Sequence, residues 1–308
     1  MAKILILNGH CLGEYCRVQS IPQTGATVIA RGRKAVEDGG KGTNAALAIG
    51  RMGGDVGFIG KCGEDEGGRL GAKWMGDAGV DLTHYRLSPE VNTIVSLVVV
   101  ADDGQNIIIN FVDDDDFIRA EEVDEAILKS PDAKYIIGGF ELPWKTVLHG
   151  LKTAKGQGLV TVLNASPLDD DVDMQNLDYV DYLVVNETET EQLLGAPRPE
   201  GEPWTKAAAA LKSKFGCANV IITLGASGSV ALTEKETFSV PARAIRAVDT
   251  VGAGDGFVAI LTWRLSEGDD LQSAMRFASD FSAYVCSFTG TVGVYPTPDA
   301  LNRFLAKN

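Results

Sequence analysis

The sequence predicts an α/β protein built on a mostly parallel sheet, with a second and smaller β-sheet beside it. Along most of the chain, short β-rich runs alternate with helical patterns, which is typical of parallel strands joined by helices. Residues 9–37 and 92–111 break this alternation with extended pieces and a hairpin pattern. We expect these two segments to form the smaller sheet, which could act as a lid over a site.

Composition limits the functional classes. With 308 residues, of which 45% are hydrophobic, the chain can form one large α/β domain or two modest ones. Its formal net charge of −14 repels nucleic acid and anionic membrane surfaces, so we expect neither as a partner. The five cysteines show no zinc-binding or CxxC spacing, which indicates free thiols in a reducing cytoplasm.

The first predicted element is a buried strand within residues 1–8. Its apolar run is too short for a signal peptide, and no stretch approaches the roughly 18 apolar residues of a membrane span. Short extended pieces follow, among them residues 27–31, which we expect to lie outside the main sheet.

Two βα steps come next. The glycine-rich turn Gly39–Asn44 precedes a helical pattern, in which Thr43 or Asn44 can act as the N-cap. A strand over residues 56–60 and a helix over residues 67–78 repeat the βα order. Two successive steps of this kind favour a parallel sheet.

A hairpin over residues 93–100 and 106–111, turning at Asp103–Gly104, precedes the second half of the chain. Five further strands are predicted, at residues 135–138, 159–164, 182–186, 220–224 and 228–232. Four helices are predicted, at residues 121–129, 144–156, 187–194 and 204–215. Polar or glycine residues follow several strand ends and should line the sheet edge where ligands bind: Gly138, Asn164, Asn186 and Gly225.

A further glycine-rich turn, Asp249–Phe257, is the strongest candidate for a site. It follows an extended run over residues 244–248, and Phe257 begins a helical pattern. Amides at a helix start lack intrahelical partners and carry partial positive charge, so the turn can hold a phosphate. Asp255 can act as a base beside that phosphate or can cap the helix, and the local pattern leaves both interpretations open.

Asn186 and Glu189, three residues apart at another helix start, also allow two interpretations. They can orient a Mg²⁺ ion with its waters, or they can form a capping box. The acidic run Asp113–Asp116 is either a solvated loop or a polar, cation-binding edge of the site. The sequence contains no P-loop and no G-x-S-x-G elbow, and its three histidines are scattered.

Four motifs resemble those of the ribokinase/PfkB carbohydrate kinase family. Gly39–Ala46 and Asp249–Asp255 resemble its two signatures, Asn186–Glu189 its NxxE element, and Thr223–Gly228 its nucleotide-binding TLGxxG turn. The motifs occur in the family's order and span nearly the whole chain. Together with Asn164–Pro167, they look closest to the ribokinase branch.

The resemblance implies a ribokinase-like three-layer α/β/α sandwich with a mostly parallel central sheet and a small β-sheet lid. The main domain would comprise residues 1–8, 38–91 and 112–308, and the lid residues 9–37 and 92–111. The implied reaction is ATP-dependent phosphorylation of a sugar hydroxymethyl group with Mg²⁺. We also expect a homodimer in which two lids pair and cover their exposed edges.

The resemblance also assigns roles residue by residue. Asp255 would be the general base, and the amides of Gly252, Ala253 and Gly254 would form the anion hole. The sugar would contact Gly40, Lys41, Gly42, Asn44, Glu141 and Asp255. The nucleotide would contact Asn186, Thr223, Gly225, Gly228, Gly254 and Ser279. Asn186 and Glu189 would hold Mg²⁺ through water, and a monovalent cation such as K⁺ would lie near Asp249, Val251, Val285, Phe288, Gly290 and Val294.

Two departures from the family pattern concern the substrate and the cation. Where ribokinases present an Asn and an Asp to the sugar, this chain has Cys11 and Gly13, with Glu14 one step on. Val294 has no side-chain oxygen for a cation. D-ribose and K⁺ activation therefore do not follow directly from the resemblance, and a nucleoside kinase is an alternative. A non-catalytic sensor of sugars or nucleotides is a third possibility, against which the retained Asp255 argues.

Overall fold

The computed structural model describes residues 3–36, 38–103, 105–113, 117–169 and 171–307. The strands in these ranges are β1 (Ile4–Leu7), β2 (Cys11–Val18), β3 (Arg31–Val36), β4 (Val56–Gly63), β5 (Tyr85–Ser88), β6 (Ile94–Ala101), β7 (Asn106–Phe111), β8 (Tyr135–Gly139), β9 (Val160–Asn164), β10 (Tyr182–Asn186), β11 (Asn219–Thr223), β12 (Ser229–Leu232) and β13 (Thr237–Val240). The helices are α1 (Gly40–Arg51), α2 (Glu66–Asp77), α3 (Ala120–Leu128), α4 (Trp144–Gly156), α5 (Glu187–Leu194), α6 (Trp204–Phe215), α7 (Ala253–Ser266), α8 (Leu271–Cys286) and α9 (Pro298–Leu305).

A nine-stranded sheet forms the centre of the molecule, in the order β13-β12-β11-β10-β9-β8-β1-β4-β5. The pairs from β5 to β11 are parallel, and β12 and β13 are added antiparallel at one end. Because the central strands run the same way, their carboxyl ends meet at one edge of the sheet.

Helices cover both faces of this sheet. Strand β1 shows why, because successive side chains of a strand point to opposite faces. Leu5 and Leu7 pack into a core with residues of α3, α4 and α6. Ile4 and Ile6 pack into a second core with residues of α1, α7 and α8. A strand that is buried on both faces has a continuous apolar sequence, as β1 does. With helices on both faces of the sheet, the predicted three-layer α/β/α fold is confirmed.

A smaller sheet of four strands, in the order β3-β2-β6-β7, lies beside the large one. Its strands come from the two segments that break the βα alternation of the sequence. Strands β2 and β6 are parallel, whereas β6 and β7 form the predicted antiparallel hairpin. Gly104 of the predicted turn lies outside the described residues. One face carries a small apolar core that includes Cys16, Val18 and Val99.

Several sequence-based predictions of elements are wrong. Of the strand predicted at residues 27–31, residues 27–30 are in no strand, since β3 begins only at Arg31; β-branched residues without a pairing neighbour do not make a strand. Residues 244–248, predicted as an extended run, pair with no strand of the described residues. Helix α1 begins at Gly40, with Gly39 as its N-cap, so neither Thr43 nor Asn44 caps it.

The prediction also omitted elements at both ends of the large sheet and at the C-terminus: β5, β13, α8 and α9. Helix α7 begins at Ala253 rather than at Phe257. Most of the acidic run Asp113–Asp116, residues 114–116, lies outside the described ranges. In the described part of the chain, no helix is both long enough and apolar enough to cross a membrane.

Candidate active site

Two cavities open at the carboxyl edge of the large sheet, on either side of one loop. The first, of about 540 Å³, lies between this edge and the small sheet, and we call it the small-sheet cavity. The second, of about 520 Å³, lies beside α8 and the turn after β11, and we call it the α8 cavity. Thr250 and Gly254 line both cavities. A group bound in one cavity can therefore meet a group bound in the other at this loop.

The loop between the cavities requires glycine. Gly252, the N-cap of α7, has a φ of +75°, which side chains other than glycine rarely adopt. The buried hydroxyl of Tyr295 donates to the Gly252 carbonyl at 3.0 Å and fixes the loop. The Ala253 amide donates to the Thr250 carbonyl at 3.3 Å, whereas the amides of Gly252 and Gly254 bond no other group of the described residues. Two unpaired amides at a helix start make an anion-binding position.

Asp255 lies in the first turn of α7 and lines the small-sheet cavity. It does not cap the helix, because α7 has Gly252 as its N-cap and no side-chain cap. Its Oδ2 instead accepts a hydrogen bond from Asn44 Nδ2 at 3.0 Å, and Lys41 Nζ lies 3.8 Å from its Oδ1. The charge of Asp255 is the main reason why the pKa of Lys41 is raised.

A second carboxylate, Glu141, follows β8 at the same edge. The backbone amide of Gly42 donates to its Oε2 at 3.3 Å. The backbone amide of Glu141 in turn donates to Oδ1 of Asn8 at 3.3 Å, and Asn8 directly follows β1. Burial raises the pKa of Glu141 to about 7, although the amide and the charge of Lys41 oppose the shift.

The small-sheet cavity brings together the residues predicted to contact the sugar. Five of them line it: Gly40, Lys41, Asn44, Glu141 and Asp255. Gly42 does not line the cavity, but a Cβ at this position would lie 2.3 Å from the carbonyl oxygen of Gly9. Gly42 therefore allows α1 to approach the chain that follows β1.

Strand β2 supplies the opposite wall of this cavity through Cys11 and Gly13. Glu14, the next residue, points to the other face of the sheet, because side chains alternate along a strand. There it accepts two hydrogen bonds from Arg33, at 2.8 and 2.7 Å. Glu14 thus does not supply the carboxylate that Gly13 lacks.

Asp38 lines the same cavity, although the sequence analysis did not identify it. Its Oδ1 accepts hydrogen bonds from the Gly40 amide, Asn44 Nδ2 and the Thr291 hydroxyl, each at 3.2 Å. Its position directly before the glycine-rich turn was the available sequence signal. The contact with Thr291 joins residues 253 positions apart, so no local pattern could reveal it.

His10 was also missed, and it positions the start of α1. Its Nδ1 lies 2.8 Å from the Thr43 hydroxyl and its Nε2 lies 3.1 Å from the Gly67 carbonyl. Because a carbonyl only accepts, Nε2 carries the proton and Nδ1 accepts from Thr43. Burial lowers the pKa of His10. Thr43 therefore bonds a histidine instead of capping the helix.

The α8 cavity is lined by all of the residues predicted to contact the nucleotide: Asn186, Thr223, Gly225, Gly228, Gly254 and Ser279. Gly228 has a φ of +97°, and a Cβ there would lie 2.1 Å from the Val240 carbonyl oxygen. No other residue fits this turn. Much of the remaining lining is small or apolar, including Ala226, Ala242 and Ala283, which suits a flat, largely apolar base.

Asn186 and Glu189 form a capping box at the start of α5. The Glu189 amide donates to Asn186 Oδ1 and the Asn186 amide donates to Glu189 Oε2, both at 2.8 Å. Among the residues that the structure describes, no group of three or more His, Cys, Asp or Glu side chains could hold a metal ion. The pair fits a cation that keeps most of its water, because Asn186 borders the α8 cavity and both residues offer oxygen atoms.

Comparison with known proteins decides the family. The family model described as pfkB family carbohydrate kinase matches residues 10–298. The chain belongs to the pfkB family of carbohydrate kinases. The sequence-based prediction of the family, and with it of a kinase, is confirmed.

Individual named proteins are similar to this chain over nearly its whole length. A deoxyribokinase of Salmonella typhi is 28% identical over 305 residues, covering 99% of each chain. A ribokinase of Mus musculus is 29% identical and covers 96% of this chain and 92% of its own. The structure of Arabidopsis thaliana ribokinase complexed with ribose and ATP has a TM-score of 0.85 at 26% identity, covering 99% and 98% of the two chains.

The positions that the pfkB resemblance assigns to a monovalent cation lie around Asp249. Its Oδ1 accepts from the Val251 amide and its Oδ2 from the Gly290 amide, both at 3.1 Å. The Val285 carbonyl accepts from the Phe288 amide at 3.1 Å, and the Thr291 carbonyl accepts from the Val294 amide at 3.0 Å. The structure thus brings Val251 and Gly290 to the Asp249 carboxylate, and the Asp249 amide donates to the carbonyl of Cys286, the residue after Val285.

Proposed function

We propose that the protein transfers the γ-phosphoryl group of ATP to a hydroxymethyl group of a small neutral sugar. The observation that carries this proposal is the meeting of two cavities at Thr250 and Gly254. ATP would occupy the α8 cavity and the sugar the small-sheet cavity. The γ-phosphoryl group of ATP would cross at the loop, where the Gly252 and Gly254 amides bond no other group of the described residues.

Within this proposal, Asp255 accepts the proton of the attacking hydroxyl. It lines the sugar side of the loop, and its carboxylate is held by Asn44 and lies near Lys41. A base positioned within reach of the hydroxyl is what proton transfer requires. Lys41 and the helix-start amides stabilise negative charge on the transferred group, with Ala253 contributing if its bond to Thr250 opens.

Mg²⁺ would supply further neutralisation of phosphate charge, held by Asn186 and Glu189 through water. Both residues are fixed by the capping box at 2.8 Å. The carboxyl of Glu189 is buried, which raises its pKa, and a cation would offset the cost of burying its charge.

K⁺ near Asp249 is a separate part of the proposal. Each oxygen of the Asp249 carboxylate accepts one amide hydrogen bond and would offer a further lone pair to the ion.

The lining of the small-sheet cavity supports a neutral acceptor. Among the described residues that line it, Lys41 and His10 are the basic ones, and burial lowers the pKa of His10, whereas Asp38, Glu141, Asp169 and Asp255 are acidic. This balance disfavours sugar phosphates and sugar acids. The relatives named ribokinase and deoxyribokinase favour a pentose. A nucleoside is the second candidate, because Ile94, Val98 and Ile108 give the cavity an apolar wall that a base could contact.

The experiment is a measurement of ADP release over about forty neutral sugars, sugar phosphates and nucleosides, with and without K⁺. We expect turnover with one or a few unphosphorylated sugars and little with phosphorylated ones. Turnover confined to nucleosides would favour the second candidate. ATP binding without turnover of any acceptor would indicate a sensor and contradict the kinase reaction.

We further propose that the small sheet, built from residues 9–37 and 92–111, acts as a lid and pairs with the lid of a second copy. Its edge strand β7 exposes Ile108, Ile109 and Phe111 at 61%, 42% and 56%. An exposed apolar edge of this kind favours association.

The five unpaired cysteines are compatible with a cytoplasmic location, which remains a prediction.

A further inference from the structure

The wall of the small-sheet cavity on strand β2 offers few groups for a sugar hydroxyl. Gly13 has no side chain, and Cys11 is a buried thiol that contacts the Ser96 hydroxyl at 3.7 Å. The Ser96 hydroxyl itself donates to Asn110 at 2.8 Å. A polyhydroxy acceptor needs a partner for each buried hydroxyl, because an unpaired one costs about 1–3 kcal/mol. Another element must therefore supply partners near this wall.

Asp38 has the position for this. Its backbone carbonyl accepts from the Gly13 amide at 3.3 Å, which places it directly beside the bare stretch of wall. Its side chain lines the cavity. Glu14, the residue after Gly13, is paired with Arg33 on the opposite face of the sheet.

The carboxylate of Asp38 is held in place by one oxygen only. The bonds from Gly40, Asn44 and Thr291 all end on Oδ1. Its Oδ2 accepts no hydrogen bond from the residues in the described ranges. Three donors fix the carboxylate before a ligand arrives, so a hydroxyl that binds Oδ2 meets a preorganised acceptor.

Asn44 points to the same conclusion independently. Its Nδ2 bonds both Asp38 and Asp255, at 3.2 and 3.0 Å, so one amide group links the two carboxylates. No group of the described residues donates to its buried Oδ1, and Asn44 is only 2% exposed. A buried polar atom without a partner, on a residue that lines a cavity, marks a position for a ligand group.

We infer that Asp38 is a specificity-determining residue that binds, through Oδ2, a sugar hydroxyl other than the one that is phosphorylated. Asn44 Oδ1 accepts from the same or an adjacent hydroxyl. Asp255 and Asp38 then hold two points of one acceptor, which fixes the hydroxymethyl group at the loop. The inference rests on the proposed function in taking the acceptor to be a neutral sugar.

The test measures sugar binding by calorimetry, in wild type and Asp38→Asn, with the best sugar and with its analogues that each lack one hydroxyl. Asparagine keeps an oxygen for the three donors and replaces Oδ2 by an amide. We expect Kd for the parent sugar to rise about tenfold, because a charge-assisted bond is lost. Wild type and Asp38→Asn should bind one of the deoxy analogues with the same Kd, because that analogue lacks the hydroxyl that Asp38 binds.

Three controls separate a role in recognition from a structural one. Glu14→Gln should leave every Kd unchanged, and Asp38→Asn should leave the Kd for ATP and the melting temperature within error. If Asp38→Asn does not fold, Asp38→Glu replaces it, because this variant keeps the charge and displaces the oxygens. Wild type and Asp38→Glu should then bind the same single analogue with equal Kd. The inference would be overturned if the variant lost affinity equally for the parent sugar and every analogue. It would also be overturned if the variant lost affinity for none of them.

The outcome also distinguishes the two proposals. ADP release with sugars tests the kinase reaction, whereas the Kd pattern tests Asp38 even in a protein that binds without turnover. Binding of no neutral sugar by wild type would overturn both.

Discussion

At the scale of single residues, Glu141 and Asp255 are carboxylates of one cavity with different neighbours. Asp255 has a lysine ammonium 3.8 Å away and an amide donor at 3.0 Å. Glu141 accepts a longer backbone bond at 3.3 Å, and burial raises its pKa to about 7. Different surroundings give two similar groups different tasks. In the proposed reaction, Asp255 would accept the proton and Glu141 would bind a hydroxyl.

The raised pKa of Glu141 predicts a stability effect. The folded protein holds this proton up to about pH 7, while the unfolded chain releases it near pH 4.5, so folding stability falls as pH rises between these values. Glu141→Gln, which mimics the protonated form, should be more stable than wild type above pH 7, by up to about 3 kcal/mol. The difference should vanish below pH 4.5. Urea unfolding at pH 4 and pH 8 measures this, and equal stabilities at pH 8 would contradict it.

At the scale of elements, the start of α7 carries the proposed chemistry. A Cβ at Gly252 would lie 2.6 Å from the Tyr295 hydroxyl and 3.0 Å from Thr291 Cγ2, at a φ of +75°. Gly252→Ala should therefore move the loop and lower kcat at least tenfold, because misplaced amides stabilise the transferred group poorly. It should also cost about 1–2 kcal/mol of stability.

Gly195→Ala is the matched control for this prediction. Gly195 has a φ of +74°, and nothing lies within 4 Å of an added Cβ. Gly195→Ala should lose about as much free energy of unfolding as Gly252→Ala, measured by thermal unfolding. It should keep full kcat, because Gly195 lines neither cavity. Equal kcat values for the two variants would show that the conformation of Gly252 does not matter for turnover.

Local signals explain which elements could be predicted. Strand β10 and helix α5 have the predicted bounds, because Asn186 and Glu189 cap the helix where the apolar run ends. The strand predicted at residues 27–31 does not form before Arg31, because the β-branched side chains there have no neighbouring strand to pair with. The residues of the family signatures that line the small-sheet cavity could be identified from sequence. Asp38 and Tyr295 could not, because their contacts with Thr291 and Gly252 join distant parts of the chain.

At the scale of the whole molecule, the small sheet exposes large apolar side chains along one edge. Its edge strand β7 is exposed, and the proposed dimer would cover it. Phe111→Glu places a charge at a side chain that is 56% exposed on this edge, and should convert a dimer to a monomer in light scattering at micromolar concentration. Leu128→Glu, on α3 and 59% exposed, is the matched control and should leave the mass unchanged. A monomeric wild type would contradict the proposed dimer.

The architecture as a whole serves one junction, where two cavities meet at a glycine loop beside Asp255. The most direct test is Asp255→Asn, with kcat from ADP release and the Kd for ATP from calorimetry. We predict that kcat falls at least about 100-fold, while the Kd for ATP stays within about twofold, since Asp255 lines only the small-sheet cavity. Asp299→Asn, in the first turn of α9, should change neither. Unchanged turnover in Asp255→Asn would remove Asp255 from the role of base and contradict the account.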